Sequence, residues 1–282
     1  MAEPAPLAGR VAVVTGGSRG IGRGIALRLA ADGADCAITF RREEARAREV
    51  VAEIEALGRR GLAVPVDLGE PGQVPAAVDR VAQAFDHIDI LVANAAATAF
   101  RPLLHQKPHN VDRTFAISVD SFVAAVQSVV PRMSGGGRIV GISGVDSPQA
   151  MAGHGLLGAA KAAMESLVRA LALELGPRAI TVNAVSPGFL ETDSSRIYVE
   201  RGLGQEYAAA VERVVAATPV RRAGTVEDVA ALVAYLVSDG AGFMTGQTIV
   251  LDGGLTIVSP MNRLQEAPGC AGGRPPETPL TS

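Results

Sequence analysis

Two short stretches carry residues whose types and spacing suit chemistry. The first, VAVVTGGSRGIGRGIALRLA, sets Thr15, Gly16, Gly17, Ser18, Arg19, Gly20, Ile21 and Gly22 between an apolar run and an amphipathic one. Gly16 permits a sharp exit from a strand, and Gly20 and Gly22 let backbone N–H groups and a helix N-terminus approach a pyrophosphate. Glycines alone also make a tight turn with no ligand, but here the strand before and the helix after supply the context a phosphate loop needs. The second stretch is HGLLGAAK, residues 154–161, which opens on an imidazole and closes on an amine. An imidazole at His154 can donate to an oxyanion or act as a general acid or base near neutral pH. Its plainer alternative is polar filler at the mouth of a site without chemistry.

The charges around the glycine loop point to the nucleotide. A dinucleotide site for NAD places a carboxylate after the second strand to accept the ribose hydroxyls. Here that strand ends ITFRRE, with Arg41 and Arg42 in the acid's place, and Arg19 adds charge from the loop. Arginine can fork onto a 2′-phosphate that a carboxylate would repel, which favours NADPH over NADH. Solvated arginines opening a helix are the alternative, commoner for Arg42 than for Arg19.

Other candidates are scattered. Asp146, in SGVDSPQA, can orient His154 or serve as a base in isomerisation or dehydration, although a carboxylate capping a turn before Pro148 is the commoner meaning. Tyr198 and Tyr207 can present a phenol, with aromatic packing the commoner role. His105 and His109, in HQKPHN, have a helical spacing that Pro108 interrupts, so they read as surface and no metal site is expected.

The elements that must position these residues follow from the pattern of apolar runs. VAVV and ILVA do not alternate, as expected of strands covered on both faces. RVAVVTG, DCAITF, LAVPVDL, IDILVANAA, RIVGIS, AITVNAVSPG and QTIVLDG read as strands with amphipathic helices between them. That alternation predicts one α/β domain, a Rossmann-type doubly wound parallel sheet. With 282 residues, 48% of them hydrophobic, the chain can bury a large core. A net charge of −3 argues against nucleic acid or a membrane surface as the main partner. Cys36 reads as a reduced core thiol, and with Cys270 it makes no metal-type spacing. MAEPAPLAGR has no signal-peptide pattern, and no uninterrupted apolar run approaches the ~20 residues that span a bilayer. A soluble cytoplasmic protein is expected. The domain is expected over 1–260, with 261–282, rich in Pro and Gly, as a disordered tail.

The spacing TGxxxGxG resembles the short-chain dehydrogenase/reductase family, and the resemblance runs over nearly the whole chain. ANAA (93–96), NAVSPGFLET and TGQTIVLDGG carry it further. It implies adenine contacts at Asp67 and Leu68, cofactor contacts at Asn94 and Ala95, and a nicotinamide near Pro187, Gly188 and Thr192. It implies that Lys161 holds the ribose and that a segment near 190–217 forms a substrate lid. Within the family, NAAATAF, DRTFA, GGGRIVGIS and GLLGAAKAAMESLVRALALEL are most similar to the enoyl-thioester reductases, namely short-chain-type enoyl-acyl-carrier-protein reductases and 1-cyclohexenylcarbonyl-CoA reductases.

The family's catalytic set is altered. Lys161 is present, but the tyrosine position falls on Leu157 at the usual spacing or on His154 at the wider spacing of enoyl reductases. The serine position falls on Gly144, beside Ser143, and the asparagine position on Ser118. The leading expectation is an NADPH-dependent reductase of an enoyl thioester, on CoA or acyl-carrier protein. Lys161, His154 and Ser143 would form its catalytic set, with His154 standing in for the hydroxyl. Two alternatives stay open: a non-redox isomerase, dehydratase or cyclase, and an inert nucleotide-binding subunit paired with an active homologue. A homo-oligomer, dimer or tetramer, is expected from the apolar breadth of AAKAAMESLVRALALEL.

Overall fold

Each apolar run becomes a strand because helices cover both of its faces. In the computed structural model, which describes residues 5–259, β1 (Val11–Val14) is buried at every position. The other strands are β2 (Asp35–Phe40), β3 (Gly61–Pro65), β4 (Ile90–Ala93), β5 (Gly137–Ile142), β6 (Ile180–Pro187) and β7 (Thr248–Leu251). They pair in parallel in the order β3-β2-β1-β4-β5-β6-β7, the doubly wound sheet expected from the sequence. The chain winds outward from β1 to β3, then returns to the other side of β1 at β4. This switch opens a crevice beyond the carboxyl ends of β1 and β4.

The connecting helices are α1 (Gly20–Ala31), α2 (Glu44–Ala56), α3 (Gln73–Phe85), α4 (Pro108–Phe115), α5 (Ser121–Val129), α6 (Gly155–Leu175), α7 (Asp193–Ile197), α8 (Tyr207–Ala217) and α9 (Val226–Val237). One face of the sheet packs on α3, α5 and α6 through Phe122, Ile139 and Met164; the other packs on α1, α2 and α9 through Ile25, Ile38 and Val233. Cys36 lies in the second of these layers, and burial, helped by Asp35, pushes its thiol up to about 12. It is the inert core thiol the sequence suggested. Cys270 and the expected tail lie outside the described residues.

Two details depart from the sequence reading. The strand expected over LAVPVDL stops at Pro65, so Asp67 and Leu68 sit in the turn beyond it. And α4 runs through a π-helical turn (Ala116–Asp120) into α5, giving a helix over 108–132 that is long and apolar enough, by composition, to cross a bilayer. Half of its most apolar window is buried inside the protein, where it forms part of the core.

The start of α1 is pressed against the turn that leaves β1. A Cβ on Gly22 would lie 2.4 Å from the Gly16 carbonyl oxygen and 2.6 Å from Asn94 Nδ2. Neither backbone nor amide can yield that space without opening the loop. Gly22→Ala is therefore expected to destabilise the protein by about 1–3 kcal/mol, the usual range for overpacking, and to lower the midpoint of a thermal melt by several degrees.

Candidate active site

Most of the cofactor residues expected from the sequence meet in one cleft of about 570 Å³ at the switch point. Gly16, Ser18, Arg19, Gly20, Ile21, Arg41, Asp67, Leu68, Asn94, Ala95, Ser143, Lys161 and Thr192 all line it, as does Arg42. Gly16 and Gly20 have φ of +66° and +53°, the left-handed region that glycine enters without strain. No atom would come within 4 Å of a Cβ on Gly20, so the loop leaves open space there. The first turn of α1 has neither a side-chain cap nor an acidic residue, and its N–H groups are available to an anion. Thr15 Oγ1 accepts from the N–H groups of Asn94 and Ala95, at 3.0 and 3.1 Å. The Asn94 amide donates to the carbonyls of Thr15 and Gly16. Asn94 thus holds the loop, a structural role the sequence reading had not given it.

At the far end, Arg19, Arg41 and Arg42 border the cleft. Asp67 faces Arg41 at 4.0 Å and takes both oxygens to Arg113, each 3.1 Å from Nη2. Burial works against its charge, but the Gly69 N–H and Arg113 hold its carboxyl below the ordinary value. Pro187 ends β6, and neither it nor Gly188 lines the cleft. A Cβ on Gly188 would lie 2.6 Å from that of Asp252, so this glycine serves packing. Thr192 caps α7, accepting from the Ser195 N–H at 3.2 Å.

Lys161 is 4% exposed, and its ammonium donates to the Ile142 carbonyl at 2.5 Å. Burial pushes its pKa down to about 8, against the opposing pull of Asp146 and Glu165. Ser143 lines the cleft beside it, but the Ser143 hydroxyl donates to Glu165 Oε1 at 2.5 Å, and Ser147 donates to the same oxygen at 2.6 Å. The one proton of Ser143 is therefore directed at Glu165 and away from a substrate oxygen. Sequence reasoning missed Glu165, although its place one helical turn after Lys161 was a visible signal.

His154 precedes α6 and does not line the open cleft. Its Nδ1 lies 2.9 Å from Asp146 Oδ2, and the two side chains are 13% and 7% exposed. Phe100 packs on the ring at 5.0 Å between centroids, and Tyr198 meets it edge-on at 4.1 Å. Nε2 is buried without a hydrogen-bond partner. His154 is therefore enclosed rather than set at the mouth of the cleft, and its polar partner is Asp146, whose carboxylate accepts from the ring instead of only capping a turn. A Cβ on Gly144 would lie 2.5 Å from Asp146 Oδ1, so the carboxylate occupies the space a side chain at the family's serine position would need. Gly158 completes the fit: a Cβ there would come within 2.2 Å of the Asp146 carbonyl.

The remaining candidates are accounted for. The Tyr198 hydroxyl donates to the Ala152 carbonyl at 2.9 Å, and burial with Asp146 raises its pKa. The Tyr207 hydroxyl pairs with Ser195 at 3.1 Å. Ser118 is buried in the π-helical turn with its hydroxyl unpartnered. Among the described residues no group of His, Cys, Asp or Glu is placed to hold a metal, and His105 and His109 stay apart from the cleft.

A carboxylate accepting from Nδ1–H fixes the tautomer. Neutral His154 then presents a lone pair at Nε2; protonated, it presents an N–H whose charge Asp146 stabilises. Asp146, the partner of the ring, also acts electrostatically on Lys161.

A Rossmann sheet with this glycine loop and a lysine at the crevice is the architecture of a nucleotide-dependent oxidoreductase. The enoyl-(acyl carrier protein) reductase family model matches residues 16–256, and the chain belongs to this branch of the short-chain dehydrogenases/reductases. It is 41% identical over 251 residues to the 1-cyclohexenylcarbonyl-CoA reductase of Streptomyces collinus, covering 89% of this chain and 88% of that one. It is 33% identical to a tetrahydroxynaphthalene reductase of Pestalotiopsis fici, over 88% of this chain and 92% of the relative. Among solved structures, a short-chain dehydrogenase from Burkholderia cenocepacia in complex with NADP superposes with a TM-score of 0.82 at 40% identity, covering 89% of this chain and 99% of that chain.

The buried amine has a consequence for stability. Lysine in the unfolded chain keeps its proton to about pH 10.5, whereas folded Lys161 loses it near pH 8. Unfolding therefore takes up a proton between those values, and stability rises with pH across that window. The rise is on the order of 3 kcal/mol. Denaturant titrations from pH 7 to 10.5 should show it as the difference between the wild type and Lys161→Met, in which the opposing contribution of the raised Cys36 thiol above about pH 9 cancels, and Lys161→Met should be the more stable protein at pH 7.

Proposed function

We propose that the protein is an NADPH-dependent reductase of α,β-unsaturated acyl thioesters, linked to CoA or a carrier protein, in which His154 replaces the family's phenol. The observation that carries this reading is the enclosed Asp146–His154 pair with its unpartnered Nε2, at the head of the helix that bears Lys161. The printed activities of the relatives support a reductase, and that of the Streptomyces relative supports a CoA thioester.

The residues present fit NADPH. The open space at Gly20 and the uncapped turn of α1 suit the pyrophosphate, and Arg19, Arg41 and Arg42 supply the charge a 2′-phosphate requires. Lys161 would hold the ribose, and the Burkholderia neighbour is an NADP complex. When bound, the reduced nicotinamide supplies a hydride.

The chain's own residues do the rest. As negative charge develops on the thioester oxygen, protonated His154 donates to it from Nε2. Asp146 holds the ring and stabilises its charge, and Lys161 adds positive potential nearby. Phe100 and Tyr198 pack on the ring and lower the polarity around it, which strengthens these interactions. Enoyl reduction asks for stabilised charge on oxygen rather than a full proton there, so losing the serine and the tyrosine is tolerable. The 190–217 segment, with Tyr198 on it, is the lid of the acyl pocket. The exposed apolar side of α6, where Leu173 is 82% exposed, suits pairing in a homo-oligomer.

Stopped-flow fluorescence of NADPH, with crotonyl-CoA and cyclohexenylcarbonyl-CoA as oxidants, tests this reading. Wild-type protein should oxidise NADPH with at least one of them. His154→Phe should lower kcat by about 10²–10⁴-fold with NADPH affinity unchanged. Arg41→Ala should weaken NADPH by about 10–100-fold and leave NADH unaffected. Tight binding without oxidation of either thioester would count against a reductase.

A further inference from the structure

The Asp146–His154 pair is built better for taking a proton than the hydroxyls it displaces. With Nδ1–H directed at Asp146 Oδ2, 2.9 Å away, the neutral ring has its lone pair at Nε2. That nitrogen is buried and unpartnered, a state that is costly until a ligand meets it. The groups packed on the ring are aromatic: Phe100 on one side, the edge of Tyr198 on another. The Tyr198 hydroxyl is committed to the Ala152 carbonyl, so it does not compete for Nε2. A base walled by aromatic rings suits an acidic C–H rather than a hydroxyl. An imidazole is also a useful base at neutral pH, where a phenol is not.

We propose a second activity for the enclosed site around His154: with no reductant present, His154 moves a proton between the γ- and α-carbons of an enoyl thioester, interconverting its α,β- and β,γ-unsaturated isomers. Nε2 removes the γ-proton, and the released C–H pair forms the Cβ–Cγ double bond. The former Cα–Cβ π pair shifts toward the carbonyl, leaving a dienolate with its charge on the thioester oxygen, beside the positive charge of Lys161. The imidazolium then delivers a proton to Cα, or back to Cγ, and the carbonyl re-forms; trading of the Nε2 proton with solvent before the return to Cγ is what places deuterium at C4. No electrons are gained or lost, and the base is regenerated. His154 is the catalytic residue and Asp146 a positioning residue. The inference rests on the pocket taking an acyl thioester, as the reductase reading does, but it needs no hydride.

The test is crotonyl-CoA in D2O with purified protein and no NADPH, following deuterium at C4 by NMR and mass spectrometry. Wild-type protein should exchange the C4 protons at least about 100-fold faster than buffer, the low end of what a positioned acid–base group contributes. His154→Gln and His154→Phe should both fall to the buffer rate while still folded by circular dichroism and binding NADPH. Asp146→Asn should slow exchange by about tenfold or more and Asp146→Glu should recover part of it, a rescue that a purely structural role would not produce. Exchange at the buffer rate in wild type, or exchange that survives both His154 variants, overturns the proposal. NADPH oxidation measured on the same preparation separates the two readings. Reduction without exchange sinks only this one, exchange without reduction sinks only the reductase, and neither sinks both.

Discussion

The carboxylate of Asp146 fills the space that a side chain at residue 144 would occupy, and the geometry around His154 follows from that. Gly144 makes the space and Gly158 lets α6 close on the Asp146 backbone. The carboxylate, once there, is buried and has to find a donor. His154 meets that need, and the ring is then locked between Phe100 and Tyr198. Two positions far apart in the reading of the sequence, Gly144 and His154, thus meet in space around one carboxylate.

Lys161 feels two carboxylates, Asp146 in the loop after β5 and Glu165 one helical turn further along α6. Burial alone would strongly disfavour its ammonium form, and these negative charges partly restore it. Glu165 also collects the hydroxyls of Ser143 and Ser147, which satisfies a carboxylate that would otherwise bury an unpaired charge. The site is thus a compact network of opposite charges, in which each member makes the burial of another tolerable.

The nucleotide end works by a different principle. There the backbone N–H groups of the first turn of α1 are left without a side-chain cap, and side chains keep the loop in place: Thr15 and Asn94 tie the turn after β1 to the end of β4. Arg19 and Arg46 both lie 3.6 Å from Asp193, so the start of α7 is linked electrostatically to the same positively charged rim. Pairs this exposed contribute little to stability, but they set the potential a phosphate would meet.

The sheet, its strands and the phosphate loop were legible in the sequence, because non-alternating apolar runs and a glycine turn are local patterns imposed by backbone geometry. Lys161 and the arginine rim were equally legible, since both lie at fixed offsets from those elements. The partner of His154 was not. Asp146 is eight positions away across an irregular loop, and only the packing of α6 against that loop brings the two together. Glu165's hold on Ser143 was hidden for the same reason, and so was the burial of Lys161, because exposure is a property of the whole packed chain. The sequence by itself determined the parallel sheet, the glycine loop and the elements that carry Lys161, His154 and the arginines. Tertiary structure decided which of them touch, because the hydrogen bonds and burial that set their protonation depend on neighbours that no local pattern specifies.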